Sequence, residues 1–477
     1  MVAVVPPSNQ PQQPSPTEAT VVLPVSVGPV RGHAAPGVLR RLGSIYTSRR
    51  TARGRGPATI LSIYIVLLLL IPSRIVLPGV GATGTIANVF ILASLVWYGV
   101  SWLMRRITPA RYTRLPRLAM FFFAVAVLLS YIAAARRDSS ALESSAADRA
   151  LIQLVTWFAV VLIATSLREY ADLERLLRIF VRCAAVIGAV AILEFLFKTS
   201  LTAWMTLPGF SNSGPELITR GDFVRPTSTA ANTLELATVM ALALPFALQQ
   251  GFNPVRKGLV RNWLPVAVIA MSAVMTVSRT SVIGLALVFL TLLPTWPAKR
   301  LLPTMGALTL GVGFSSVALP GLIGTVVGLF SAMLNGGDNS TNSRTATSAV
   351  ISQYFDERPW TGRGYGTFLP LMYRYTDNEY LLALVEMGIL GVAAVVLVYI
   401  VTLHCGGAGR RRFADPARRE TGQGFAAGGF VMLVVTATFD TLSFPMVAGL
   451  SFLMMGLAGA YLGMARQDQM LRGEPSL

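Results

Sequence analysis

Residues 263–296 read WLPVAVIAMSAVMTVSRTSVIGLALVFLTLLPTW, an apolar run interrupted at its centre by Ser278-Arg279-Thr280-Ser281. As one helix this stretch would reach about 50 Å, against a hydrocarbon core of about 30 Å. As two short helices it turns back at Arg279. The choice sets the side of a membrane on which every later segment lies. Basic residues decide it. With a cytoplasmic N-terminus, a hairpin places the tail arginines, Arg105 to Arg117, Arg168 to Arg178 and Arg256-Lys257-Arg261 on the inside. Lys299-Arg300, Arg410-Arg411-Arg412 with Arg418-Arg419, and Arg466 with Arg472 join them. A single span would move those last three clusters outside, against the preference of lysine and arginine for cytoplasmic loops.

Working outward, spans of roughly 20 apolar residues are expected at 58–77, 84–103, 116–135, 150–167, 175–197 and 231–250. The pair 263–277 and 281–296 follows, then 303–328, 379–403, 424–441 and 445–464. The fold class predicted is all-α: a polytopic membrane helical bundle of about 12 transmembrane helices with one large extracytoplasmic loop, 329–378. Residues 1–57, rich in Pro, Ser, Gln and Arg, read as a disordered cytoplasmic tail. Residues 465–477 read as a cytoplasmic C-terminal tail. The first apolar run lies too far from the N-terminus for a cleaved signal.

Composition agrees. Over half the residues are apolar (53%) and only 13% are charged, and the mean hydropathy is +0.60, which together exclude an ordinary soluble enzyme. The net charge of +18 is spread over short clusters between apolar runs, so it marks topology and no nucleic acid is expected as partner. Two cysteines, Cys183 and Cys405, and two histidines, His33 and His404, leave no basis for a disulfide framework or a histidine-rich metal centre. The strong bias to arginine over lysine, with the Ala and Gly content, suggests a GC-rich bacterial genome.

The outward features carry the candidate chemistry. Arg279 sits between apolar residues near the outer interface, where a guanidinium needs an anionic or carbonyl partner and suits bidentate phosphate contact. Arg220 and Arg225, in RGDFVRP, precede the span holding Glu235, a carboxylate that wants a cationic partner. Arg344 lies in NSTNSRTATSAV, whose Asn and Ser suggest a helix N-terminus suited to anions. Each has a plain alternative as a rim or anchoring charge. The turn Pro359-Trp360-Thr361-Gly362-Arg363-Gly364-Tyr365-Gly366 lacks the strand–helix setting of a dinucleotide fingerprint. Its Trp360 and Tyr365 are suited to stacking on sugars, although such rings also mark membrane interfaces. Asp377 and Glu379, where the loop re-enters the membrane, are candidate bases for an acceptor hydroxyl, and Asp356 and Glu357 lie further back.

Three landmarks in order, SRTSVIGLALVFL (278–290), SRTATSAVISQYFDERPWTGRGYGTF (343–368) and DNEYLLALVEMGILG (377–391), resemble the O-antigen ligase and O-antigen polymerase superfamily. The segment RGDFVRPTSTAANTLELATVMALALPFAL (220–248) looks like that family's motif before a span. The likeness covers roughly 58–464. It implies a bacterial inner-membrane glycosyltransferase with both termini cytoplasmic, moving a glycan from a polyprenyl-diphosphate donor to a hydroxyl of a glycan or lipid acceptor, as polymerase or ligase. Membrane lipids are its surroundings, and neither metal ion nor other cofactor is implied. Arg279 and Arg344 match the family's diphosphate-holding arginines, with Arg220 and Arg225 as further candidates. Typical ligases end the loop with a His-Asn or His-Ser pair whose His is the proposed base. Here Asp377-Asn378 stands there, so Asp377 or Glu379 is expected to take the proton, with Asn378, Trp360 and Tyr365 touching glycan. Two other readings stay open: a transporter or flippase, against which stands the lack of paired Gly/Pro-broken helices, and a catalytically inactive relative acting in polysaccharide assembly.

Overall fold

The computed structural model of the chain describes residues 56–104, 114–212, 218–220, 223–254, 258–318 and 351–474, besides a few isolated positions. The expected N-terminal tail, apart from its last two residues and Val2, and Arg344 with most of the first half of the large loop lie outside the described residues.

Helices fall on all twelve expected segments. They are α1 (Gly56–Leu70), α2 (Ile86–Leu103), α3 (Arg114–Ala135), α4 (Ala141–Ala164), α5 (Tyr170–Phe197), α6 (Thr233–Phe252), α7 (Leu259–Met275) and α8 (Arg279–Leu292). After these come α9 (Ala298–Ala318), α10 (Glu379–Arg412), α11 (Pro416–Val435) and α12 (Pro445–Leu471). By length and apolarity seven are sufficient to cross a membrane: α2, α3, α4, α5, α6, α10 and α12. α1, α7 and α8 are apolar but shorter. The chain is a multi-pass membrane protein.

Helix starts follow local chemistry. α4 begins about three turns before its apolar run because Ser140 and Glu143 form a reciprocal capping box, which satisfies backbone donors that a helix start leaves open. Asn232, Asn378 and Asp415 cap α6, α10 and α11 through side-chain oxygens. Pro416 and Pro445 open α11 and α12, where a missing N–H costs nothing. α12 is buried along its whole apolar window and packs against α10 and α4, as expected of a helix apolar on every face. Its Phe452 stacks on Trp157 of α4 at 4.6 Å.

The hairpin reading of 263–296 is borne out. Trp263, near the start of α7, and Trp296, just past α8, pack on the same Phe252 ring at 4.9 and 5.2 Å. One continuous helix would hold them about 50 Å apart. The chain reverses at Thr276–Ser278, where Val277 has φ +47°, a costly conformation for a β-branched residue. Ser281 Oγ closes the turn on the Ala273 carbonyl at 2.5 Å.

The bundle therefore has two distinct ends. The Phe252 end gathers Arg300 against Glu420, Arg418 over Tyr170 and Phe413, and Arg410 against Gln423. The other end carries the loops. There β1 (Ile75–Val76) pairs antiparallel with β2 (Ser211–Asn212), and β3 (Ile218–Arg220) with β4 (Phe223–Arg225).

Candidate functional site

At the loop end α10 is broken. Gly388 has φ +66° and ψ −160°, a conformation outside the helix that glycine adopts without a Cβ clash. The turn 359–364 fills the break as a short strand would. Arg363 N and Gly364 N donate to the carbonyls of Val385 and Glu386, both at 2.9 Å, and Ile389 N donates to Pro359 O at 2.8 Å. Ser130 Oγ adds a bond to Glu386 O at 2.7 Å. These bonds satisfy polar groups that a helix break in a membrane protein would otherwise bury unpaired. The fit is close: a Cβ on Gly362 would lie 2.3 Å from the Glu386 carbonyl carbon, and one on Gly388 2.4 Å from that of Trp360.

Below this turn lies a cavity of about 260 Å³ bordered by α4, the loop, the start of α10 and the α11–α12 connection. Glu379, Glu386 and Asp440 line it, as do Arg149, Arg374 and Tyr365. Neutral donors hold each carboxylate. Glu379 Oε2 accepts from Leu442 N at 2.8 Å, and Glu386 Oε1 from Phe368 N at 3.0 Å. Asp440 Oδ1 accepts from Thr376 Oγ1 at 2.6 Å and Asn378 N at 2.9 Å. Burial, and then the nearby Asp377 charge, push the Asp440 carboxyl above its ordinary value although these donors pull it down. A carboxyl so shifted holds a proton more readily, as a general base requires.

The loop's outer half is locked separately. The Arg363 guanidinium lies over the rings of Tyr354 and Tyr373, 4.1 and 4.7 Å from their centroids. Tyr373 OH receives an Arg363 N–H and donates to Glu143 Oε1, each at 2.8 Å. Arg137 bonds the same Glu143 oxygen at 2.9 Å. Stacked rings, a cation between them and a shared carboxylate leave this part of the loop little freedom.

The start of α8 reaches the α11–α12 connection that carries Asp440. Thr280 Oγ1 bonds Thr438 Oγ1 at 3.0 Å, two residues from Asp440. On the other side of the turn before α8, Arg225 Nε donates to Thr276 O at 3.3 Å. Arg225 thus bonds the backbone of the turn that leads into Arg279.

Residues 264–396 match the family described as O-antigen ligase. That match supports the likeness to the O-antigen ligase and polymerase superfamily. No curated protein matches it. The O-antigen ligase segment runs from α7 into α10 and includes Arg279, Tyr365, Arg374, Glu379 and Glu386. Arg149 and Asp440, which line the cavity, lie outside it, so the cavity is completed by other parts of the bundle.

Against this O-antigen ligase frame the residues singled out from sequence separate clearly. Glu379 and Tyr365 line the cavity. Asp377 does not: it is exposed, with φ +47°, a turn residue whose acidic side chain tolerates that backbone. Asn378 is committed as the α10 cap, its side-chain oxygen accepting from Tyr380 N and Leu381 N at 3.0 and 3.4 Å. Trp360 is 63% exposed on the docked turn. Arg220 sits in β3, its backbone registered with Phe223. Arg344 falls outside the described residues.

One expectation is corrected. Glu235 takes no cation among the bonds that hold it; it accepts from Met446 N and Ala231 N, both at 2.7 Å, and from Ser73 Oγ at 3.3 Å. Amide donors converge there because the chain enters α6 and α12 side by side. Sequence reasoning also passed over Glu386, Asp440 and Arg149. An acidic residue deep in an apolar run, as in LVEMG, and a lone Asp between two spans, as in TFDTLSF, are the signals that mark the first two.

Proposed function

We propose that this protein transfers a glycan from a polyprenyl-diphosphate donor to a hydroxyl of a glycan or lipid acceptor, without a metal ion, at the loop end of the bundle. The observation that carries the reading is a carboxylate-lined cavity whose Asp440 wall is linked through Thr438 and Thr280 to the start of α8, beside the turn that Arg225 bonds, within and beside the segment that matches the O-antigen ligase family. The acceptor oxygen attacks the anomeric carbon of the donor glycan from the face opposite the leaving group. The bond from that carbon to the diphosphate breaks, the diphosphate leaves with the electron pair, and configuration inverts. Charge gathers on the leaving diphosphate, where the guanidinium groups of Arg279 and Arg225 offset it. Arg344 and Arg220 are the further candidates for this contact.

The acceptor proton goes to the Glu379–Asp440 pair. Asp377 acts as a neighbouring charge that strengthens the hold of Asp440 on a proton. The exposed Trp360 and the cavity-lining Tyr365 present faces on which sugar rings pack, and Asn378 holds the start of α10 beside them. The loop end faces outward and the arginine-rich end faces the cytoplasm of a bacterial inner membrane, with both termini inside.

The test is transfer by purified protein in lipid nanodiscs, supplied with a polyprenyl-diphosphate oligosaccharide and a hydroxyl acceptor. Arg279→Ala is expected to lower kcat about 100-fold or more, the usual cost of removing a positioned charge-stabilising donor, while the variant still inserts and folds. Undiminished transfer by this variant overturns the diphosphate assignment. Movement of the lipid-linked glycan across the bilayer with no new glycosidic bond would instead establish a transporter.

A further inference from the structure

The cavity has two chemical walls, and the glycosyl transfer proposed above uses only one. Glu379 and Asp440 stand at the α10 and α11–α12 side, whereas Arg149 comes from α4 and Arg374 from the loop. We propose that Arg149 and Arg374 form a subsite for the carboxylate of an acidic sugar in the glycan being joined, so that the protein selects uronate-bearing over neutral chains. This inference rests on the transferase reading.

The Arg149 side chain and the backbone that carries Arg374 are held in place before any ligand arrives. Arg149 is half-buried, and its Nη1 bonds Ser145 Oγ, one turn back on α4, at 2.7 Å. That contact uses one of five guanidinium N–H donors. The adjacent Asp148 accepts from Tyr131 OH of α3 at 2.9 Å. Arg374 follows Tyr373, whose ring stacks on Phe368 at 4.9 Å and whose hydroxyl lies between Arg363 and Glu143. Its backbone is therefore set by the most tightly bonded part of the loop. Preorganised groups lose less freedom on binding, which favours affinity.

A planar carboxylate matches the guanidinium fork. The transferase reading assigns the donor's diphosphate to the turn before α8, and neither Arg279 nor Arg225 lines the cavity. Arg149 and Arg374 put guanidinium groups on a wall apart from that turn, and an anion taken there must be small. A space of about 260 Å³ falls below the roughly 300–1,000 Å³ of common small-molecule sites and suits about one sugar unit. Sugar hydroxyls would then face Glu379 and Asp440 while the ring carboxylate faces Arg149 and Arg374.

Equilibrium binding to the full-length protein in nanodiscs tests this with three probes: an oligosaccharide containing glucuronic acid, a neutral glucose oligosaccharide of equal length, and inorganic pyrophosphate. Wild-type protein is expected to bind the glucuronate probe at least tenfold more tightly than the neutral one. Arg149→Ala and Arg374→Ala should each erase most of that preference and leave neutral binding unchanged, and Arg149→Lys should restore part of it. Arg149→Gln replaces the alanine variant if the latter fails to fold. No preference in the wild type, or a preference that survives both substitutions, overturns the subsite. Loss of pyrophosphate binding in place of glucuronate binding also overturns it and moves the diphosphate to this wall. Glycan transfer is scored in parallel: a wild type that transfers glycan without an acidic preference defeats only this inference, whereas one that transfers nothing defeats the transferase reading.

Discussion

The two ends of the bundle handle charge in opposite ways. At the Phe252 end cations meet anions and rings at a half-open surface. Arg300 pairs with Glu420 at 2.5 Å with side chains 25% and 23% exposed, and its guanidinium lies over Phe252. At the loop end Glu143 keeps an arginine partner, Arg137, but the carboxylates at the cavity and at the starts of α6 and α10 are buried and received by neutral donors. Glu194 accepts from Leu201 N, Thr227 N and Ser228 N, Glu235 from Met446 N and Ala231 N, and Glu379 from Leu442 N. The first arrangement orients and solvates a helix bundle. The second keeps carboxylates in a low-dielectric setting without collapsing them onto arginines, which leaves chemistry to both charges. Retention of buried acids of this kind is expensive and marks function more often than stability.

The sharpest way to break the contrast is at the interlock that exists only at the loop end. Gly388→Val places a side chain against the Trp360 carbonyl at a backbone angle that valine rarely adopts. Transfer should fall to background, and limited proteolysis should cut the loop near Trp360 faster than in the wild type. A variant with normal turnover would show that the broken helix and its docked turn do not position the cavity.

Asp440→Asn sharpens the comparison chemically. A loss of about 100-fold in transfer is expected, in the range for removal of a general base. Burial raises the Asp440 carboxyl, so the folded protein binds its proton more firmly than the unfolded chain does. The associated stability is full at pH below the ordinary aspartate value of about 3.9 and is lost as pH rises through the higher folded value. The asparagine variant should therefore be no less stable than the wild type near neutral pH while being slower. The acid limb of the wild-type pH–rate profile should lie above the ordinary aspartate range and vanish in the variant. A limb that persists assigns the proton to another group.

The smallest effects separate the ends by stability alone. Glu235→Gln, which keeps one acceptor but turns an amino group toward one of the two amide donors at Met446 and Ala231, is expected to cost about 1–3 kcal/mol. Glu420→Ala at the other end should stay within about 1 kcal/mol, the usual value of a partly exposed ion pair. Thermal unfolding in detergent measures both. Equal shifts would erase the distinction drawn here.

Much of the scaffold was legible from residue order. Apolar run lengths located the helices, and the positions of arginine clusters chose the hairpin at Arg279, which Trp263 and Trp296 then confirm on one Phe252 ring. Helix starts were less legible: α4 begins at Ala141 because of its capping box, whereas its apolar run begins near 150. At the site, Glu379 and Tyr365 were recognised and reach the cavity. Asp377, the other expected base, is exposed in a turn with φ +47°.

Hydrophobic period and charge distribution are local properties, and they were enough to determine a many-helix membrane bundle, its reversal at Arg279 and the loop where chemistry was expected. The partners of each carboxylate are not local. Glu386 meets Phe368, Asp440 meets Thr376, and Arg149 lines the same cavity because helices distant in the chain pack side by side. Only tertiary structure decided that amides would hold the acids, since a buried carboxylate takes whichever donor the packed backbone brings within about 3 Å.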